Sequence, residues 1–513
     1  MKISQVKMFQ RKNWVILAFL FLLPFTGSQS LLASGYLPGF SLPPFETVRT
    51  LILKFDFKAA EKLLPVRPLK GQAEGIRRFY FMQIAAWQYL LTEDPGHLAK
   101  FETAWELMND YAESLPETDE VLFLKGEGTL WRAIVQIRKN DFISAAWNAR
   151  SAYKYYESAY ELNPGNPDLL KGLGIFHFMV GNVPSRFSWL VNITGFTGSM
   201  SLGRSELQKA ADFGGITSDE ARFFLAGIDL FVDKDPPRSM KKLNILLEKY
   251  PENGVFLLVK SIALQRNRDV RESVVLMESK YQSIKNSSPV FADQVLFRIA
   301  EGYFFLNQFD EAIPHFNEFL DGYKTKTILT LARFRLGLSY ELSGQHEKAV
   351  NWFKILEPRE NNDFESYAAA EGKKWIGRPM TPAEKSLWLG RNSFDSGDFN
   401  GALQLLNEAK KLAGQDTDFA GEADYRIGRV YEESRQPELA MTHYKLSEKA
   451  AYKQEVWLVP YSIFQQAKLH LASGKKTEAI ALLRKAAELD DHVFTNSMAR
   501  EIETELKKLG VDP

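Results

Sequence analysis

Seven times along this chain a small residue is followed twelve positions later by another: Gly227 and Ser239, Ser261 and Ser273, Ala300 and Ala312, Gly337 and Ala349, Gly390 and Ala402, Gly428 and Ala440, Ala467 and Ala479. Four residues beyond each second member stands a large apolar side chain: Leu243, Met277, Phe316, Phe353, Leu406, Tyr444 and Leu483 in turn. Three residues after the first member come Leu230, Leu264, Tyr303, Tyr340, Ser393, Tyr431 and His470, of which Ser393 departs from the pattern. Spacings of three and four place residues on one helical face. Two antiparallel helices approach closely where both present a small side chain at the crossing, and large neighbours one turn away fill the remaining volume. The repeat therefore predicts helix pairs, with Gly344, Gly397 and Gly474 at the reversals. Successive second members step by 34, 39, 37, 53, 38 and 39 residues. The long step contains residues 363–375, read as an added helix capped by Asp363.

Within this pattern Leu336-Gly337, Tyr340, Ala349 and Phe353 resemble the tetratricopeptide repeat, whose Leu-Gly, Tyr, Ala and Phe recur at fixed offsets. The resemblance implies an all-α fold, a right-handed α-α superhelix of stacked antiparallel helix pairs that presents a concave groove. The array is assigned to residues 216–510. Residues 46–215 form a divergent helical half, in which Phe57-Lys58-Ala59-Ala60 and Phe142-Ile143-Ser144-Ala145 look like the starts of second helices. Here a Phe-x-x-Ala unit, a long Tyr-rich helix and a hydrophobic segment leading into Gly195-Phe196-Thr197-Gly198 and Gly203 resemble the family of the eukaryotic inclusion-body clearance proteins. That resemblance spans about residues 45–320 and implies an adaptor role without a reaction.

Lys2, Lys7, Arg11 and Lys12 precede an apolar run from Trp14 to Leu23, closed by Pro24. A basic segment before a run about half as long as a membrane span reads as a secretory signal. Small residues allow cleavage after Ser30 or near Ala33, so residues 1–33 are read as the signal and 34–45 as a Pro/Gly/aromatic linker. The expected location is the periplasm, the outer membrane's periphery or the exterior, without a permanent span. Sixty-four basic and 64 acidic residues give a formal net charge of zero, which leaves no global field for nucleic acid. The chain has no cysteine, and hence no disulfide, no thiolate metal site and no acylated lipoprotein anchor.

The motifs of phosphate loops, zinc proteases and serine hydrolases are missing, and neither a cofactor nor a metal is expected. The seven histidines include no pair at helical ligand spacing. Gly126-Glu127-Gly128 and Gly172-Leu173-Gly174 lack the third glycine of a dinucleotide site and read as helix-packing positions. Three places are candidates for binding a partner. Arg391, Arg429 and Lys468 each follow the first small residue of a pair. In the resembled family that register faces the groove, where a stacked basic row suits an acidic or carboxylate-bearing peptide. Glu432 and Glu433, one turn beyond Arg429, offer ordinary ion pairs as the alternative. Phe297, Phe304, Phe305 and Phe334 would make the groove apolar farther upstream, unless their stripe is core. Ser199 and Ser201, in the irregular stretch 180–203, open a helix whose amino terminus suits an anion; the alternative is a loop packed onto the helices.

Two functions are consistent with these residues. One is a non-enzymatic exported scaffold that takes a protein or peptide segment in its groove, its oligomeric state open. The other is an outer-membrane-associated glycan- or nutrient-binding protein on a helical-repeat frame. Charge reversal of Arg391, Arg429 and Lys468 is expected to spare the fold and abolish capture. Alanine at Ser199 and Ser201 is expected to leave stability intact.

Overall fold

The computed structural model describes residues 37–182, 198–287, 289–322, 328–358 and 363–511. All regular structure among them is helical. The signal segment 1–33 and most of the 180–203 stretch lie outside the described residues.

The chain forms two compact units, one reaching Ala263 and including Lys280–Ala292, the other made of Leu264–Ser279 and Asp293–Pro513. This division falls later than the boundary read from repeat regularity at residue 215. Units follow packing, and the divergent pairs pack as the regular ones do.

In the first unit a 3-10 turn, Pro38–Ser41, precedes helices α1 (Phe45–Leu53), α2 (Phe57–Leu63), α3 (Gln72–Thr92), α4 (Pro95–Glu113), α5 (Asp119–Arg138) and α6 (Phe142–Leu162). Then come α7 (Leu169–Gly181), α8 (Met200–Phe213), α9 (Ser218–Gly227), α10 (Pro236–Lys249) and α11 (Gly254–Arg266), the last of which runs into the second unit. The described part of the linker is packed: Leu37 and Phe40 are buried, and the Phe40 ring meets Phe123 edge-on at 5.4 Å. Tyr156 of α6 lies between two glycines, because a Cβ on Gly126 or Gly172 would sit 3.3 or 2.5 Å from its ring. Gly174 and Gly203 let α7 and α8 meet backbone to backbone, since a Cβ on Gly203 would lie 2.5 Å from the Gly174 carbonyl oxygen. The glycine pairs of the sequence are thus packing positions.

The second unit contains the start of α12 (Val270–Ser287), most of α13 (Pro289–Phe305), and α14 (Phe309–Gly322), α15 (Leu329–Leu342), α16 (His346–Phe353) and α17 (Asp363–Lys373). It ends with α18 (Pro382–Asp395), α19 (Phe399–Ala413), α20 (Thr417–Glu433), α21 (Pro437–Glu448), α22 (Leu458–Ala472), α23 (Lys476–Ala487) and α24 (Thr495–Lys508). The added helix in the long step is α17.

Every second small residue, from Ser239 to Ala479, is 0% exposed, and so is the large residue four positions on. The small residue of the first helix also makes room for the large residue of the second. A Cβ on Gly337 would lie 2.5 Å from the Phe353 ring, one on Gly390 2.9 Å from Leu406, and one on Gly428 2.8 Å from Tyr444. The first helix of each pair carries a notch, and the large side chain of the second helix fills it.

Seven residues after the first small residue, each of these pairs turns through a left-handed residue: Lys234, Arg268, Asn307, Gly344, Gly397, Arg435 and Gly474. Phe55 and Asn140 hold the same place, five residues before Ala60 and Ala145. The following amide reaches back to close the turn, as in Asp56 N to Leu51 O at 3.0 Å and Gln345 N to Tyr340 O at 2.7 Å. That same following residue starts the next helix. Asp56, Asp141, Asp235 and Asp398 each cap their helix with a side-chain oxygen. The tyrosine column of the sequence contributes its carbonyl to this turn, so Ser393 serves as well as Tyr340: Asp398 N meets its carbonyl at 2.9 Å.

Candidate functional site

The first helices of the second unit's pairs are α13, α15, α18, α20 and α22, and their side chains bridge from one first helix to another. Three residues before each small residue stand Phe297, Phe334, Leu387, Tyr425 and Phe464, all buried. The next position holds Arg298, Arg335, Trp388, Arg426 and Gln465, and the position after the small residue holds Glu301, Leu338, Arg391, Arg429 and Lys468. Burying the first column forces the flanking charged columns to the edge of the core, where the guanidinium groups lie on aromatic rings.

Arg391 sits 3.8 Å from the Trp388 ring centroid and pairs with Glu422 of α20 at 3.4 Å, while Arg426 meets the same carboxylate at 2.9 Å. Burial raises the Glu422 carboxyl, but Arg391 and Arg426 outweigh it and hold the group below the usual range. Arg429 lies 3.7 Å from both Glu432 and Glu433 and 5.6 Å from the Phe394 ring. Lys468 reaches Glu432 at 3.1 Å and Gln465 at 3.0 Å. The three predicted cations thus share one run of first helices, and each is already paired within the chain. Reversing their charge would face new carboxylates with Glu422 and Glu432, so the expectation that the fold tolerates it is withdrawn.

Phe297 and Phe304 do not line a groove. They are 0% and 2% exposed, and Phe297 packs on Phe319 and Phe316 at 5.4 and 6.2 Å. Above them lie Arg298, 4.9 Å from the Phe297 centroid, and Arg335, 5.0 Å from that of Phe305. Both guanidiniums meet Glu301. Sequence reasoning passed over these two arginines, although the aromatic-Arg dipeptides Phe297-Arg298, Phe334-Arg335 and Tyr425-Arg426 recur in one register and were the readable signal.

Ser199 accepts the Leu202 amide at 3.1 Å and caps α8, and its hydroxyl lies 3.1 Å from that of Ser201. Alanine at Ser199 removes a cap, so the expectation of unchanged stability is also corrected.

A narrow pocket is lined by Glu371, Lys374, Trp375, Trp388, Glu422 and Glu455, among others. Its free space admits a single water, so it suits a buried ionic cluster and not a metabolite. Lys374 lies 2.9 Å from Glu371 and 2.6 Å from Glu455. Burial pushes the Glu371 carboxyl up to about 7, with Lys374 opposing and Glu455 adding to the shift. Among the described residues no group of three or more His, Asp or Glu side chains is arranged for a metal, and no helix is long and apolar enough to cross a membrane.

Fold and surface together define an all-α helical-repeat protein with a charged, aromatic-seated face. The family model Iml2/Tetratricopeptide repeat protein 39 matches residues 169–325, and the Tetratricopeptide repeat model matches residues 460–492. The chain is similar to the tetratricopeptide superfamily, with a weaker likeness to the Iml2 group, matched over residues 169–325. No curated protein matches it. Among solved structures, a tetratricopeptide repeat protein from Parabacteroides merdae is 14% identical, covering 56% of this chain and 98% of its own at a TM-score of 0.25. The Signal Transduction ATPase with Numerous Domains protein with a tetratricopeptide repeat sensor, from Pyrococcus horikoshii, is 12% identical, with coverages of 86% and 64% and a TM-score of 0.34. The APC/C hetero-tetramer Cut9-Hcn1 is 13% identical, covering 91% and 98% at a TM-score of 0.23. Scores this low add nothing to the fold read from the helices themselves.

Proposed function

We propose that this protein is an exported, non-enzymatic scaffold that holds a protein segment along the first helices of its second unit. The observation that carries this reading is the run of side-chain bridges from one first helix to another: Arg335 to Glu301, Arg391 to Glu422, Lys468 to Glu432. These bridges leave charged groups part-exposed beside aromatic rings, a surface suited to the backbone and side chains of an extended peptide. Shifted carboxylates such as Glu371 are engaged in ion pairs around a space too small for a substrate. Export rests on the basic and apolar run of residues 2–24.

The test is chemical cross-linking of the full chain in its source cells, followed by mapping of the cross-linked residues and sequencing of the mature amino terminus. Cross-links concentrated on α13, α15, α18, α20 and α22, with a terminus near residues 31–34, support the proposal. Cross-links scattered over the second helices overturn the binding face. A terminus that retains Lys2 overturns export.

A further inference from the structure

Arg298 and Arg335 stand on neighbouring first helices and converge on one carboxylate. Glu301 is 6% exposed and gives one oxygen to each, while the two arginine side chains remain 20% and 16% exposed. Arg298 also donates to the neutral Gln265 Oε1 at 3.2 Å. Asp395 attracts Arg335 as well, but it is engaged by Arg268 at 3.4 Å. Among the described residues, two guanidiniums therefore share a single dedicated counter-charge. Burial lowers Arg298 to about 10; burial, then repulsion from Arg298, lowers Arg335 to about 9.

Farther along the same face the balance differs. Lys374, Arg391 and Arg426 meet Glu371, Glu422 and Glu455, and Arg429 and Lys468 meet Glu432 and Glu433. Against burial, Tyr367 and Glu422 hold Arg391 above the usual arginine range, and Tyr425, Tyr444 and Glu432 do the same for Arg429. The face is neutralised at one end and short of negative charge at the other.

We propose that Arg298 and Arg335 together receive an aspartate or glutamate side chain from a bound protein segment, so that the acidic preference expected of Arg391, Arg429 and Lys468 resides one to four helix pairs upstream. A guanidinium presents its donors in a planar fork that matches a carboxylate, and a ring beneath it fixes the plane. Phe297 and Phe305 supply those rings. Glu301 inside the site and a net charge of zero argue against a polyanion, whose successive phosphates would face that carboxylate. The inference rests on the scaffold reading above.

The test is selection of short synthetic peptides of randomised sequence on the full chain, followed by affinity measurement on the peptides retained. Retained peptides are expected to be enriched in Asp or Glu, and changing that acid to its amide is expected to weaken binding about tenfold. Arg298→Gln with Arg335→Gln should abolish the difference between acid and amide. Arg391→Gln, Arg429→Gln and Lys468→Gln together should preserve it. If the double variant fails to fold, Arg335→Lys keeps the charge without the fork and should weaken the acidic peptide alone. Retained peptides without acidic enrichment, or an acid preference unchanged by the Arg298 and Arg335 substitutions, overturn this inference and leave the scaffold standing. If no peptide is retained, the scaffold reading fails and takes this inference with it.

Discussion

Lys171 and Glu220 face each other across 2.7 Å in the first unit, each side chain only 1% exposed, and Lys171 also contacts Glu127, equally buried. Glu127 in turn accepts from the Tyr156 hydroxyl at 2.5 Å. Burial raises the Glu220 carboxyl well above its ordinary range even with Lys171 beside it, so removing the lysine would leave buried carboxyl groups without the cation that faces them. Lys171→Met is expected to lower unfolding stability by about 3–5 kcal/mol, the usual cost of breaking a buried pair from one side. Urea denaturation followed by circular dichroism measures it, and a loss below about 1 kcal/mol would show that the cluster is solvated.

Glu371 provides a pH dependence with a definite sign. Its carboxyl is raised from 4.5 to about 7 in the folded chain, so between those values the folded state keeps a proton that the unfolded state releases. Stability is expected to fall as pH rises through this window, by up to about 1.4 kcal/mol per unit. Below the window both states are protonated and the contribution is constant. Glu371→Gln should remove the slope, as read from denaturation midpoints at a series of pH values.

The left-handed turns supply a pair of opposite substitutions. Arg435 is exposed at a φ of 58°, where a side chain crowds the backbone, and Gly344 holds the equivalent place at 83°. Arg435→Gly is expected to raise stability by about 0.5–1 kcal/mol, and Gly344→Ala to lower it by about 1–2. Thermal melts of the two variants compare them directly.

Ser199→Ala should cost about 1 kcal/mol through loss of the α8 cap. Gly203→Ala in the same helix should cost more, about 3 kcal/mol or above, because the added methyl meets the backbone of α7, which cannot step aside as a side chain does. Equal, small effects would mean that α7 and α8 are not held at this contact.

Arg391→Glu is expected to destabilise the second unit by several kcal/mol, whereas Arg391→Gln costs less, because only the former sets a carboxylate against buried Glu422. Parallel urea titrations separate the two.

The fold was largely legible because its signal is periodic. Twelve-residue spacing and a large residue four positions on specify helix pairs, and each such position is buried as a small-to-large fit requires. Even Phe55 and Asn140 in the divergent part keep the turn register. Less was legible at the candidate site. A register rule locates Arg391, Arg429 and Lys468 on one run of helices, yet it says nothing of their counter-charges.

By itself, then, the sequence determined which residues form helices, where those helices reverse and which side of each faces its partner, because these depend on neighbours three, four or twelve positions away. Only the tertiary structure decided which glycine receives which ring, that Phe297 and Phe304 form a buried floor, and that Arg298 and Arg335 share Glu301 while Arg391 is matched by Glu422. The physical reason is that charge compensation and close packing are settled between side chains on different helices. Their separation in space bears no fixed relation to their separation along the chain.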